Sequence, residues 1–369
     1  MLVYMSIVYC IGYFGLQYAY VWSDRKLKKI DRYLMLFFFA ALIYVGYHLI
    51  PSKSDDLYRH YGVVNWHRNG QQKIDVRKNI LPLAGTEQLY VYQLICWIIS
   101  LQDENAYLQV VYLAIDFVCV YRIISLFAGR VDLNRKITAF YVLVYFTLMP
   151  FFNSYSGLRF SAVCHIMGLK EYKYYCENGS LLKLIFWYII CILMHPAAGI
   201  YLMIQIWYEC TKNRKYFFLI IGLWGTSIKT IAVLLRNIPV SQIQYAGQKL
   251  YFYFNTYETT ADKRKLIAQI AFLLFVIIMS LADAINKKKM EHSLTRFYII
   301  IALLGLGSMN IMFIDRMVMM VGPISLIFLY NICRRSCCRG ILYFGLVVWS
   351  IVMNVYYTIT IFTYLRLAL

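Results

Sequence analysis

Charge is scarce in this 369-residue chain: Asp, Glu, Lys and Arg together make 15% of it, against about a quarter of an average soluble domain. Acid is the scarcer sign, with 18 Asp and Glu against 37 Lys and Arg and a formal net charge of +19. The place of charge is taken by apolar residues, 61% of the chain, where soluble domains hold roughly 45–50%. At a mean hydropathy of +0.58, membrane spans must hold most of it. The ten cysteines (10, 96, 119, 164, 176, 191, 210, 333, 337 and 338) avoid the two long hydrophilic loops, which excludes an extracellular disulfide framework. No CxxC pair or Cys/His cluster has metal spacing, so neither a metal nor another cofactor is called for. Residues 2–22 have no small-residue cleavage site and read as a retained span rather than a signal peptide. Low complexity and internal repeats are missing too, which argues against solenoids and arrays.

A basic balance of this size raises the question of nucleic acid. Nucleic-acid binders gather their charge on one soluble face, whereas here Lys and Arg are scattered between apolar runs. The positive charge therefore reads as membrane topology, with anionic lipid or pyrophosphate as partners and no nucleic acid. The apolar runs fall at about 2–22, 33–50, 88–101, 106–127, 137–152, 160–175, 181–194, 197–210, 217–235, 266–283, 297–312, 317–333 and 341–360. The run at 88–101 is short for a crossing, at about 1.5 Å per residue against a core of about 30 Å, and reads as re-entrant or interfacial. With that segment not crossing, the loops at 24–32, 129–136, 170–183, 211–216, 286–296 and 334–339 share one side and carry 21 of the 37 Lys and Arg. By the positive-inside rule that side is cytoplasmic. The expectation is an all-α, polytopic membrane protein of about twelve transmembrane helices plus the re-entrant segment. Residues 1–369 form one integral domain, with outward loops at about 51–87 and 236–265.

That orientation brings the rare polar groups to one outer face, where ionisable residues at a membrane edge point to function. In the first outer loop, Ser54 suits an N-cap and Asp55 and Asp56 the first turn of a short helix, with Arg59 and His60 one turn on. The same pattern fits a solvated helix held by ion pairs; the tandem acids beside Tyr58 and Tyr61 equally suit hydroxyl binding or proton abstraction. Arg159 opens an apolar run just after residues 153–158, and a cation at a helix N-terminus opposes the helix dipole unless an anion joins it. His195 ends one apolar run and precedes Pro196, which puts an imidazole at a helix break. Asp315 and Arg316 interrupt a late apolar stretch at its predicted outer end, and Lys229 is a weaker candidate inside another. In the second outer loop Tyr245, Tyr251, Tyr253 and Tyr257 present aromatic faces and phenol hydroxyls suited to sugar rings, or equally to an interfacial aromatic belt.

Four motifs in this order, Ser54-Asp-Asp-Leu-Tyr-Arg-His-Tyr61, Gly157-Leu-Arg-Phe-Ser-Ala162, Leu193-Met-His-Pro-Ala-Ala198 and Ile314-Asp-Arg316, resemble those of the EpsG-like, Wzy-type polysaccharide polymerases. The resemblance runs over nearly the whole chain. It implies a bacterial inner-membrane glycosyltransferase with the GT-C-like helical architecture of enzymes that use lipid-linked sugars, joining oligosaccharide repeats carried on undecaprenyl pyrophosphate into capsule, O-antigen or exopolysaccharide. A chain-length regulator and a flippase are the partners it implies. The chain departs from the family pattern where Phe160 follows Arg159 and where Pro196-Ala-Ala198 follows His195. The roles expected on this basis are His195 as general base, with Asp56 and Asp55 as alternatives; Arg159 and Arg316, with Arg59 in reserve, on the pyrophosphate; and Tyr58, Tyr61, Tyr251, Tyr253 and Tyr257 on the saccharide. A membrane acyltransferase decorating surface sugars and a transporter of lipid-linked oligosaccharide are the competing classes.

Overall fold

The computed structural model describes residues 46–51, 56–69, 89–130, 157–211, 230–240, 263–285, 292–308, 310–335 and 366–367, with single positions or pairs at 36, 39–40, 43–44, 227, 244 and 247–248 and the stretch 250–252. There the chain is overwhelmingly helical, as its apolar periodicity predicts. It divides into two compact units, one of Met1–Ala84, Val91–His165 and Leu329–Leu369, the other of Gly85–Tyr90 and Ile166–Phe328.

In the first unit, α1 (Asp56–Arg68) falls inside the segment 51–87 expected to face outward. Asp56 in its first turn and His67 and Arg68 in its last complement the helix dipole, and Leu57, His60, Val63 and Val64 form its buried stripe. Arg68 fixes the helix end: its Nη1 donates to Asn65 Oδ1 and Asn105 Oδ1 at 2.8 Å, and its Nη2 to the Gln102 carbonyl at 2.8 Å. Gln102 and Asn105 lie in the turn between α2 (Tyr90–Ser100) and α3 (Tyr107–Arg130), so one guanidinium ties the end of α1 to that turn. Helix α2 has 11 residues, about 16 Å at 1.5 Å each, well short of a hydrocarbon core of about 30 Å. Helix α3 has 24 residues with a mean hydropathy of 2.0 over its apolar window, and it is the one helix among the described residues long and apolar enough to cross a membrane. A two-residue ladder pairs β1 (Leu49–Ile50) with β2 (Arg366–Leu367) antiparallel, Leu49 opposite Leu367.

Helix α4 (Leu158–Cys176) gives its first half to this unit and its second to the other. It ends where Asn178 takes the left-handed region at φ 54°, which turns the Gly179 N–H back onto the Lys173 carbonyl at 3.1 Å. Helix α5 (Leu181–Met194) matches the apolar run expected there, and α6 (Ala198–Thr211) follows across the His195-Pro196 break. Helices α7 (Lys263–Ile285), α8 (His292–Gly307) and α9 (Ile311–Arg335) follow, α9 belonging to the second unit as far as Phe328. At Gly305 a Cβ would come within 2.9 Å of Leu273 and Met317 side chains, so glycine there allows α7, α8 and α9 to approach closely.

Side-chain hydrogen bonds join the helices within each unit. In the second unit the buried Glu171 carboxylate accepts from Tyr188 Oη at 2.5 Å and from Tyr298 Oη at 2.6 Å, joining α4, α5 and α8. Gln205 Nε2 donates to Tyr175 Oη at 2.8 Å, joining α6 to α4, and Tyr208 Oη reaches the Ser293 carbonyl of α8. Pro323 lies inside α9 and leaves the Met319 carbonyl without its helical donor; at the neighbouring position Tyr201 Oη donates to the Met320 carbonyl at 2.6 Å.

One boundary differs from the sequence expectation. Asp315 and Arg316 do not separate two helices; α8 ends at Gly307 and α9 begins at Ile311, so both fall in the second turn of α9. Asn310 Oδ1 accepts the Phe313 N–H at 3.1 Å, an N-cap that sets the helix start ahead of the charged pair.

Candidate functional site

In the first unit, four elements bring polar groups around Arg159. Arg159 is the second residue of α4, and its guanidinium carbon stands 4.3 Å from the centroid of the Tyr92 ring on α2. A stacked cation of this kind gains about 0.5–2 kcal/mol. Its Nε and Nη1 are buried and make no hydrogen bond. Leaving a buried donor unmade costs about 1–3 kcal/mol, and more where it is charged, so two such donors on one cation mark a place prepared for an anion.

Tyr92 also holds α1. Its hydroxyl lies 2.8 Å from His60 Nδ1, while His60 Nε2, 3.4 Å from Asp56 Oδ2, completes no hydrogen bond. The carboxylate only accepts, so Nε2 carries the proton and Nδ1 accepts from the tyrosine O–H. Burial and then the charge of Arg159 lower the His60 pKa, and these outweigh the pull of Asp56, so the ring is neutral at neutral pH. Asp56 is half-exposed and also lies 3.6 Å from Arg59. Burial raises its carboxyl, but the neighbouring His60 N–H and the charges of Arg159 and Arg59 prevail and hold it well below the usual carboxylate range. Asp56 is thus a fixed negative charge beside a buried positive one.

Deeper in the same unit α3 carries Gln109, Tyr112 and Asp116, spaced i, i+3, i+7 on one stripe, all fully or almost fully buried. Tyr61 Oη donates to Gln109 Oε1 at 2.5 Å, while Gln109 Nε2 and Tyr112 Oη make no hydrogen bond. Asp116 Oδ2 accepts from Ser161 Oγ at 2.7 Å, and Oδ1 faces His165 Nδ1 at 3.0 Å. His165 Nδ1 also faces the Ser161 carbonyl at 2.8 Å; with two acceptors before it, Nδ1 holds the proton. These residues escaped the sequence analysis, which weighed interruptions at the ends of apolar runs. The signal was there in the helical spacing of Gln109, Tyr112 and Asp116 inside a single run.

Of the residues singled out from sequence, Asp56, Arg59 and Arg159 come together here. Tyr58 is exposed on α1, and the Tyr61 hydroxyl is turned onto Gln109. His195 lies in the second unit as the extended C-cap of α5, with its N–H on the Cys191 carbonyl at 2.8 Å and its Nδ1 accepting the Ala197 N–H at 3.2 Å. That bond places the proton of a neutral ring on Nε2. Arg316 is on α9 beside Asp315, whose carboxylate accepts from Gln269 Nε2 of α7. Tyr251 is exposed with the Arg236 guanidinium 4.7 Å over its ring. Asp55, Tyr253, Tyr257, Tyr245 and Lys229 lie outside the described residues.

Comparison with known proteins gives one family: the model of the EpsG family matches residues 31–366. No curated protein and no solved structure matches the chain. The EpsG proteins are membrane-associated relatives of Wzy-type polysaccharide polymerases.

Proposed function

The chain belongs to the EpsG family, and from that premise we propose that it polymerises oligosaccharide repeats carried on undecaprenyl pyrophosphate, at the outer face of a bacterial inner membrane that it crosses several times. The product is a surface polysaccharide. The observation that carries this reading is Arg159, whose buried Nε and Nη1 have no partner and which sits over Tyr92 beside the ion pairs of Asp56. Planar guanidinium forks match phosphate oxygens and do not deprotonate.

In the proposed reaction a hydroxyl oxygen of the incoming repeat attacks the anomeric carbon of the growing chain. The bond from that carbon to the pyrophosphate oxygen breaks, the leaving group keeps the electron pair, and the hydroxyl proton passes to a base and then to water. Arg159 stabilises the negative charge that gathers on the pyrophosphate, the kind of electrostatic effect that usually supplies the largest catalytic term. Arg316 is assigned to pyrophosphate, with Arg59 in reserve. His195 is the proposed base; in that role Nδ1, which holds the lone pair of the neutral ring, gives up the Ala197 N–H and accepts the hydroxyl proton instead. Asp56 and Asp55 are the alternative bases. Because Asp56 stays ionised, its contribution is to orient the acceptor hydroxyl and to balance positive charge at the anomeric carbon. Tyr58, Tyr61, Tyr251, Tyr253 and Tyr257 are assigned to the saccharide, and a chain-length regulator and a flippase are the proposed partners.

Substituting Arg159, His195 and Arg316 singly by Ala, and resolving the lipid-linked glycans on gels, tests the assignment. The expected result is collapse of the ladder to single repeats at wild-type protein level. Full-length ladders in all three variants would remove these roles.

A further inference from the structure

The orphaned hydrogen-bonding atoms of the first unit are not scattered. Gln109 Nε2 and Tyr112 Oη on α3, and Arg159 Nε and Nη1 on α4, are buried without partners, and Asp116 Oδ1 meets only the edge of His165 Nδ1 without hydrogen-bond geometry. The three α3 residues share one stripe over about 10 Å of helix. Arg159 lies over the Tyr92 ring, and Ser161, two residues further along α4, bonds Asp116, so the start of α4 packs against this stripe. A core built only for packing would show apolar atoms here, since every unmade bond weakens the fold. The chemistry on offer is mixed: an amide donor, a hydroxyl that both donates and accepts, a carboxylate acceptor and a cationic fork. Phosphate would use the fork, the amide and the hydroxyl as donors, but the carboxylate only accepts and would repel it. A carboxylate and an amide in the same stripe suit neighbouring hydroxyls of a ring, each of which donates once and accepts.

We propose that Gln109, Tyr112 and Asp116 form a subsite for the hydroxyls of the sugar ring joined directly to the pyrophosphate, with Arg159 at the boundary between ring and phosphate. This deepens the polymerase reading and rests on it. Ser161 and His165 hold the carboxylate: Ser161 Oγ donates to Oδ2, and His165 faces Oδ1, so Asp116 keeps its orientation while an Oδ1 lone pair remains for ligand. Asp116 is then the acceptor that a hydroxyl must satisfy, and the ring discriminates the donor lipid from the bare carrier.

The test uses the purified full chain in lipid nanodiscs with two probes: undecaprenyl pyrophosphate, and the lipid-linked repeat that accumulates in cells lacking this chain. Wild type is expected to bind the repeat-bearing lipid more tightly than the bare one. Tyr112→Phe and Gln109→Leu should each weaken the repeat-bearing lipid by about tenfold, the effect of one lost hydrogen bond, and leave the bare lipid unchanged. Thermal unfolding separates binding from structure. Tyr112→Phe removes a hydroxyl that bonds nothing inside the protein, so its melting temperature should equal or exceed that of wild type. A lower one would mean that the hydroxyl has an internal partner, and would overturn the subsite. So would wild-type affinity for the repeat-bearing lipid in both variants. Failure of the parent reading looks different: Arg159→Ala would bind both lipids normally, or cells lacking the chain would accumulate no lipid-linked repeat.

Discussion

Removing the Glu171 carboxylate should loosen the second unit by an amount that its geometry bounds. Glu171 is fully buried and accepts from Tyr188 of α5 at 2.5 Å and Tyr298 of α8 at 2.6 Å, so one side chain of α4 holds two other helices. Interhelical hydrogen bonds in membrane proteins average about 0.6 kcal/mol and reach about 1.7, so two of them are worth about 1–3.5 kcal/mol. Glu171→Ala also strands two hydroxyls. The substitution is therefore expected near the upper end of that range. The triple variant Glu171→Ala, Tyr188→Phe, Tyr298→Phe strands none, and should recover part of the loss, because deleting both sides of a hydrogen bond is milder than deleting one. Thermal unfolding of the purified protein in detergent, followed by tryptophan fluorescence, measures both. An unchanged Glu171→Ala, or a triple variant less stable than the single, would refute the claim that this carboxylate is the joint.

Three further outcomes follow from the first unit. His60 has its pKa lowered from 6.5 in the fold, first by burial and then by Arg159, with Arg59 adding to this and Asp56 opposing; the unfolded chain therefore takes up the proton first, and stability should fall as pH drops below about 6.5. His60→Gln should flatten that part of the unfolding-temperature profile against pH, and an unaltered profile would contradict it. Arg68→Ala removes bonds to Asn65, Asn105 and the Gln102 carbonyl, and should cost about 1–3 kcal/mol, read as faster hydrogen exchange confined to α1 and the turn after α2. Arg159→Lys keeps the charge and loses the planar fork, so it should retain short glycan ladders where Arg159→Ala gives single repeats; equal ladders from both variants would contradict a forked grip on phosphate.

Much of the helical framework was legible because hydrophobic periodicity and terminal chemistry agreed. Residues 181–194 were read as one run and form α5; Arg159 was placed in a first turn and is the second residue of α4; Asp56 was placed at the start of a short loop helix and begins α1. The start of α9 was misplaced because hydropathy marks charge, whereas Asn310 marks the cap, and the cap decides where the helix begins. The site was half legible. Local rules found Asp56, His60 and Arg159, each conspicuous at the edge of an apolar run. They missed Tyr92, which joins His60 to Arg159, because its two partners lie 32 and 67 positions away and no local pattern encodes such a pairing. Asp116 was missed although its helical spacing from Gln109 and Tyr112 was legible, because polar residues were weighed at the ends of apolar runs; its pairing with Ser161 and His165 on another helix only the folded chain reveals.

Reconstitution tests the central claim most directly. The purified chain is placed in liposomes with lipid-linked repeats on the outer leaflet, and both glycan length and free undecaprenyl pyrophosphate are measured. The expected result is lengthened glycans, with one undecaprenyl pyrophosphate released for every linkage formed and neither product from Arg159→Ala. Repeats that change leaflet yet stay at unit length, with no pyrophosphate carrier released, would contradict the account and make the chain a transporter.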